Sequence, residues 1–281
     1  MMSARFLTVV LERAFNMRDG FGREIDYMRI SVIDSCNLNC YYCNPCDNNE
    51  HCHALNILSV KEVLCIVRAA TRLGIKHFRL TGGEPLLHPQ LDEMVLQIKK
   101  IPGVSSVSLT TNAVLLAQHA KWLKEAGIDS INVSLDTIDA SEYERITKKP
   151  LLEEVKHGIN AAIECGIRVK INVVLTPQTD VVALTRYVAK KGTDIRFIEM
   201  MPVGEGHTNG VEPYKKVIGT LSKLYGEPCR INTEKTKEIN SGNDKRKIPD
   251  NGPAEYYIFP ELGIRVGLIQ AIHGKFCDTC N

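Results

Sequence analysis

The sequence predicts an α/β protein, a six-stranded partial (β/α) barrel of parallel strands with a smaller C-terminal α+β appendage. Three observations predict it. From residue 28, six apolar, β-rich runs alternate with amphipathic helical patterns. The connections are short, as right-handed crossovers between neighbouring parallel strands require. Unusual polar residues collect toward the C-terminal ends of the runs, the face on which a β/α barrel carries its chemistry. A doubly wound sheet would concentrate them at one switch point instead.

The first run is 28–33 (MRISVI), and CNLNCYYC at 36–43 follows it. A helical pattern over about 59–73 opens with Ser59 and Glu62, the spacing of a capping box. The second run, 76–80 (KHFRL), leads into TGGEP at 81–85 and a helix over 89–100. The third, 105–109 (SSVSL), leads into TTN at 110–112 and a helix over 115–126. The fourth, 129–135 (DSINVSL), ends in SLD at 134–136, with the next helix at 152–165. The fifth, 167–175 (IRVKINVVL), contains Asn172 and precedes a helix at 180–191. The sixth, 194–200 (DIRFIEM), ends in EMMP at 199–202. Gly74, Gly127 and Gly166 follow the last helical residues, where a left-handed cap favours glycine.

Past residue 202 the pattern changes to a Gly-rich stretch, a helix near 213–225, a polar segment over 232–253, and strand-like runs at 255–259 and 263–269. The organisation is therefore a barrel over 17–202 and an appendage over 203–281. Residues 1–16 look detached, unstructured or an artefact of the start site, and Met17 is a natural beginning.

A net charge of +2 gives no sign of a nucleic-acid or membrane surface, although local anion sites are compatible with it. The 44% hydrophobic and 24% charged content is that of a soluble globular chain. Ten cysteines are many for this length. The apolar run Phe6 to Leu11 is too short for a signal-peptide core, and no stretch approaches a membrane span. These features point to a cytoplasmic protein with reduced thiols, in which clustered cysteines suggest a metal centre.

Cys36, Cys40 and Cys43 have the spacing C-x3-C-x2-C. Three thiolates can hold three irons of a 4Fe-4S cubane and leave the fourth iron open, unlike the fully ligated clusters of electron-transfer ferredoxins. Zinc is the competing reading, with His51, Cys52, His53 or Cys46 completing a four-ligand set. Otherwise Cys46 and Cys52 are spectators, and Cys65, Cys165 and Cys229 are ordinary core or surface residues. In TGGEP, Gly82 and Gly83 admit close backbone approach, and the Glu84 carboxylate beside them suits an ammonium group. An ordinary Gly-Pro turn is the bland alternative. Arg29, Arg79, Arg168, Lys170 and Arg196 interrupt apolar strands. Inward-facing cations need a partner and would imply an anionic ligand such as a polyphosphate; outward-facing ones would snorkel past the helices.

CxxxCxxC after the first strand and GGEP after the second resemble the radical S-adenosylmethionine superfamily, over nearly the whole chain from Met17. The resemblance implies a 4Fe-4S cluster on Cys36, Cys40 and Cys43 whose open iron is chelated by S-adenosylmethionine. It implies reductive cleavage of that cofactor to a 5′-deoxyadenosyl radical, with the electron coming from an external reductant. RDGFGREIDYMRISV, LTTN, INVSLD, VKINVV and RFIEMMPVG together resemble the GTP 3′,8-cyclase family of molybdenum-cofactor biosynthesis. That family abstracts the 3′ hydrogen of GTP and joins the ribose to guanine C8, giving 3′,8-cyclo-7,8-dihydro-GTP. The resemblance carries S-adenosylmethionine contacts onto Tyr42, Gly83, Ser134 and Met201, and GTP contacts onto Arg29, Arg79, Thr110 and Lys170.

It also implies a second 4Fe-4S cluster on the C-terminal segment. Only Cys277 and Cys280 of its ligands are present before the chain ends at Asn281, so it is expected to be incomplete and activity impaired. The family usually has glycine after TTN; here Ala113 stands in its place. The pathway implies a downstream cyclic pyranopterin monophosphate synthase, with no nucleic-acid or membrane partner, and allows a homodimer. The alternatives are a different radical S-adenosylmethionine enzyme, or a non-catalytic paralogue or fragment that binds one cluster and a nucleotide.

Overall fold

A computed structural model describes residues 17–20, 22–43, 56–200, 213–231 and 254–270. The extension at 1–16 and the segment at 232–253 lie outside them. The six strand runs form β1 (Tyr27–Ser31), β2 (His77–Thr81), β3 (Ser106–Thr111), β4 (Ser130–Ser134), β5 (Arg168–Leu175) and β6 (Asp194–Glu199). They pair in sequence order, all parallel. Between them run α1 (Val60–Arg72), α2 (Leu91–Lys99), α3 (Leu116–Ala126), α4 (Ala140–Thr147), α5 (Leu152–Glu164) and α6 (Val181–Lys190). The capping box of α1 is present, with the Ser59 hydroxyl accepting from the Glu62 amide and the Glu62 carboxylate accepting from the Ser59 amide. Gly127 caps α3 in the left-handed conformation, and Gly74 and Gly166 also have positive φ.

The appendage extends the barrel's sheet. After α7 (Pro213–Tyr225), β7 (Cys229–Ile231), β8 (Glu255–Ile258) and β9 (Arg265–Ile269) continue the same sheet. Its order is β1-β2-β3-β4-β5-β6-β9-β8-β7. Strand β9 lies parallel to β6, so the parallel part exceeds the six strands predicted; β8 and β7 add antiparallel. The physical reason is the edge of β6, whose unpaired amides and carbonyls the apolar run RVGLI covers.

The two faces of the sheet are unlike. Phe78, Leu80, Val107, Leu109, Ile131 and Val133 alternate onto one face and are buried under the helices. Val169, Ile171, Ile195, Phe197, Val266 and Leu268 continue that layer. The opposite face carries Arg29, Arg79, Ser108, Thr110, Asn132, Lys170, Asn172 and Arg196. An eight-stranded barrel normally fills this inner side with branched aliphatics. Here it is polar and basic, so Arg29, Arg79, Arg168, Lys170 and Arg196 all share the inner face by the two-residue period.

Candidate active site

The inner face is knitted across strands. Arg79 donates from Nε to the Ser108 hydroxyl at 3.0 Å, and its guanidinium lies 5.5 Å from the centroid of the Tyr27 ring. Arg29 is the register partner of Arg79 and donates to the Tyr27 hydroxyl at 3.2 Å. Thr110, Asn132 and Lys170 stand side by side on β3, β4 and β5. Lys170 is buried, with its ammonium 5.8 Å from the Tyr256 ring centroid. Arg265 approaches the same ring at 5.6 Å and pairs with Asp194. Arg196 donates to the Asn172 side chain at 2.9 Å. Gly267 makes room for this packing. A Cβ there would lie 2.7 Å from Arg196 Cγ and 2.9 Å from Tyr256 Cε1. The buried Asn132 amide nitrogen has no hydrogen-bond partner among the described residues. Clustered cations and an orphaned donor suit a ligand rich in anionic oxygen acceptors.

At the C-terminal edge of β1 the cysteine loop is held from two sides. On one side the GGE turn is stitched to it: the Gly83 amide donates to Ile33 and the Glu84 amide to Ser35, both at 2.7 Å. A Cβ on Gly82 would collide with the Ile33 carbonyl, and one on Gly83 with those of Asp34 and Ser35. These glycines exist for close approach of two backbones. On the other side stands α4. The Asn39 amide donates to the Thr147 carbonyl at 3.0 Å and the Tyr41 amide to the Ile146 carbonyl at 3.1 Å. The loop thereby satisfies carbonyls that a helix C-terminus leaves open. The Arg145 guanidinium lies 5.5 Å from the Tyr41 ring centroid.

Glu84 makes its hydrogen bonds within the fold. Its carboxylate is fully buried, and Oε1 accepts from the Leu86 amide at 2.9 Å and the Thr111 hydroxyl at 2.6 Å. Oε2 accepts from the Asn112 amide at 2.7 Å. It is a brace between β2 and β3. Burial pushes its pKa up, while the three donors oppose that shift.

Cys40, Tyr42, Asn112, Ser134, Asp136 and Tyr143 line one cleft. The Tyr42 hydroxyl donates to Asp136, whose other oxygen accepts from the Val174 amide at 2.8 Å. Burial raises the Asp136 carboxyl to about 6. Burial raises the Cys36 thiol, with the charges of Glu84 and Cys43 adding to it. Burial first, then the Asp136 carboxylate and the other two thiols push Cys40 up to about 12. A cationic metal centre reverses that balance, because it requires and stabilises thiolates. Cys36 Sγ already accepts from the Leu38 amide at 3.4 Å and from Asn112 Nδ2 at 3.8 Å. Among the described residues no three His, Cys, Asp or Glu side chains are grouped to hold a single metal ion. In a cubane each thiolate binds a different iron, so three spaced sulfurs on one pinned loop fit that group.

Gly83, Tyr42 and Ser134 thus gather at the cysteine loop, and Arg29, Arg79, Thr110 and Lys170 on the inner face beside it. Met201, Cys277, Cys280, Cys46, His51, Cys52 and His53 lie outside the described residues. Cys65 and Cys229 are exposed and Cys165 is half-buried, as ordinary residues would be. Sequence reasoning assigned no role to Asn112, Asp136 or Tyr143. The first two are the last letters of TTN and SLD, at the strand ends already singled out. Tyr143 belongs to a helix the sequence reading passed over.

Residues 30–184 match the Radical SAM superfamily. A GTP 3′,8-cyclase of Clostridium perfringens (strain SM101 / Type A) is 36% identical over 268 residues, covering 94% of this chain and 79% of that protein. One of Pelotomaculum thermopropionicum is 37% identical over 272 residues, with the same shares of 94% and 79%. Among solved structures, methylornithine synthase (PylB) superposes with a TM-score of 0.57 at 16% identity, over 72% of this chain and 62% of that one. Native anSMEcpe with bound AdoMet superposes with a TM-score of 0.57 at 19% identity, over 71% and 59%. At these identities the structural likeness speaks for the fold.

Proposed function

Because this chain belongs to the radical SAM superfamily and, within it, to the GTP 3′,8-cyclase family, we infer that it converts GTP to 3′,8-cyclo-7,8-dihydro-GTP. This is the first step of molybdenum-cofactor biosynthesis. The observation that carries the reading is the meeting of a pinned three-cysteine loop with a basic inner sheet face. A 4Fe-4S cluster with S-adenosylmethionine, when bound, supplies the hydrogen-abstracting radical.

The chain's own residues do the rest. Cys36, Cys40 and Cys43 hold the cluster, and the GGE turn and α4 fix the loop that presents them. Tyr42, Gly83 and Ser134 face the cofactor, with Met201 as a further contact. Arg29, Arg79 and Lys170 neutralise the triphosphate, and Thr110 and the free amide of Asn132 offer hydrogen bonds beside them. The radical machinery falls in 17–202, and Cys277 and Cys280, two of the ligands of a second cluster, in 203–281. The one-electron reductant is external. A homodimer and a downstream synthase acting on the product complete the reading.

The test is anaerobic reconstitution followed by incubation with GTP, S-adenosylmethionine and a low-potential reductant. GTP-dependent formation of 5′-deoxyadenosine together with the cyclised nucleotide is expected. Cofactor cleavage that ignores GTP would remove the substrate assignment. Cleavage retained in Cys36→Ala would remove the cluster assignment.

A further inference from the structure

We propose that Asn112 is a positioning residue that sets the reduction potential of the cluster on Cys36, Cys40 and Cys43, by donating a hydrogen bond to the Cys36 sulfur. The inference rests on the cluster assignment made above.

The amide is locked in one orientation. Its Oδ1 accepts from the Val114 amide at 3.1 Å, which only an oxygen can do. The Nδ2 end must therefore face the cysteine loop. One of its N–H groups goes to Asn37 Oδ1 at 2.7 Å, and Cys36 Sγ lies 3.8 Å from the same nitrogen. The backbone amide of Asn112 is fastened in turn to the buried Glu84 carboxylate. Two contacts fix the side chain and a third its backbone, and they leave one spare donor beside a cluster ligand. The same sulfur accepts from the Leu38 amide at 3.4 Å.

Hydrogen bonds to ligand sulfurs are among the factors that set iron–sulfur potentials. Reduction adds negative charge, part of which resides on the thiolate sulfurs. A donor held against Cys36 stabilises the reduced form more than the oxidised one and raises the potential. Asn112 therefore eases delivery of the electron that starts the reaction.

The test is potentiometric titration, followed by electron paramagnetic resonance, of the reconstituted 281-residue chain. A Cys277→Ala background restricts the signal to the first cluster. Asn112→Ser removes the amide donor. Asn112→Asp keeps the oxygen that accepts from Val114 and replaces the donors by negative charge. The expected order of midpoint potentials is parent, then Asn112→Ser, then Asn112→Asp. The parent-to-Ser step should be about threefold to tenfold in the reduced-to-oxidised ratio, tenfold being 59 mV for one electron. Unchanged potentials in variants carrying about four irons per chain would overturn the inference while leaving the cluster assignment intact. Failure of both variants to bind iron would overturn it too, by making Asn112 a requirement for assembly. Absence of iron in the parent would instead overturn the cluster assignment.

Discussion

The hydroxyl of Tyr42, between two cluster cysteines, donates to the buried carboxylate of Asp136 at the end of β4. This single bond ties the cysteine loop to the sheet near the fifth strand, since Asp136 also accepts from Val174. Burial raises Asp136 from 3.8 to about 6, so the folded chain holds this proton more tightly than the unfolded one. The group's contribution to stability is complete below about 4 and falls as pH rises through about 6. Tyr42 limits that fall by solvating the ionised form. Tyr42→Phe should therefore cost about 1–3 kcal/mol at pH 8 and less at pH 5. Urea unfolding of the metal-free chain at both pH values measures it. Equal costs would mean that Asp136 does not ionise in the folded state.

Glu84 braces the turn after β2 with three accepted hydrogen bonds. Glu84→Gln cannot reproduce them, because an amide group would meet either the Asn112 or the Leu86 amide donor to donor. The expected destabilisation is about 2–3 kcal/mol, since a buried donor is left unsatisfied beside a lost charge-assisted bond. The turn that lies against Ile33 and Ser35 loosens with it, so iron uptake should fall in the same variant. A variant with unaltered urea midpoint and full iron would show that the brace is dispensable.

Helix α4 carries the other half of the loop's support, through the Ile146 and Thr147 carbonyls. The Thr147 hydroxyl donates to the Tyr143 carbonyl at 2.8 Å and accepts from the Lys149 amide at 3.3 Å. Thr147→Val keeps the shape and removes both. The expected cost is about 1–2 kcal/mol, with a cluster that is lost faster on exposure to a chelator. Chelator kinetics matching the parent would separate α4 from cluster retention.

The strand-and-helix order from β1 to β6 was legible because each run announces itself by apolar content and each helix by its period and caps. Helix α4 was not. It has eight residues, ASEYERIT, with few apolar positions, and its stability comes from the Asp139 cap and from packing on the cysteine loop. Strand β7 has three residues and exists only because β8 pairs with it. The run at 263–269 read as a strand, but its partner β6 is set by tertiary contact, which periodicity does not report. The cysteines, GGE turn and basic strand residues were visible as types. The direction of the basic side chains required the alternation of burial across neighbouring strands. Ala113 was visible as a departure, and it does adopt a left-handed φ of 65°. Its carbonyl faces Gly158, where a side chain would collide with it.

Gly267 tests the inner face without removing any charge. Its missing Cβ leaves room for Arg196 Cγ and the Tyr256 ring, and Tyr256 in turn lies under the Lys170 ammonium. Gly267→Ala pushes against two buried side chains, Arg196 and Tyr256. The expected result is GTP affinity lowered by about tenfold, corresponding to 1.4 kcal/mol, with iron content unchanged. Lys170→Ala should weaken GTP binding at least as much, because it deletes a buried cation rather than displacing one. Calorimetry on the reconstituted chain reads both. Unaltered GTP affinity in Lys170→Ala would place the triphosphate elsewhere, and unaltered affinity in Gly267→Ala alone would show that Tyr256 and Arg196 yield without moving the site.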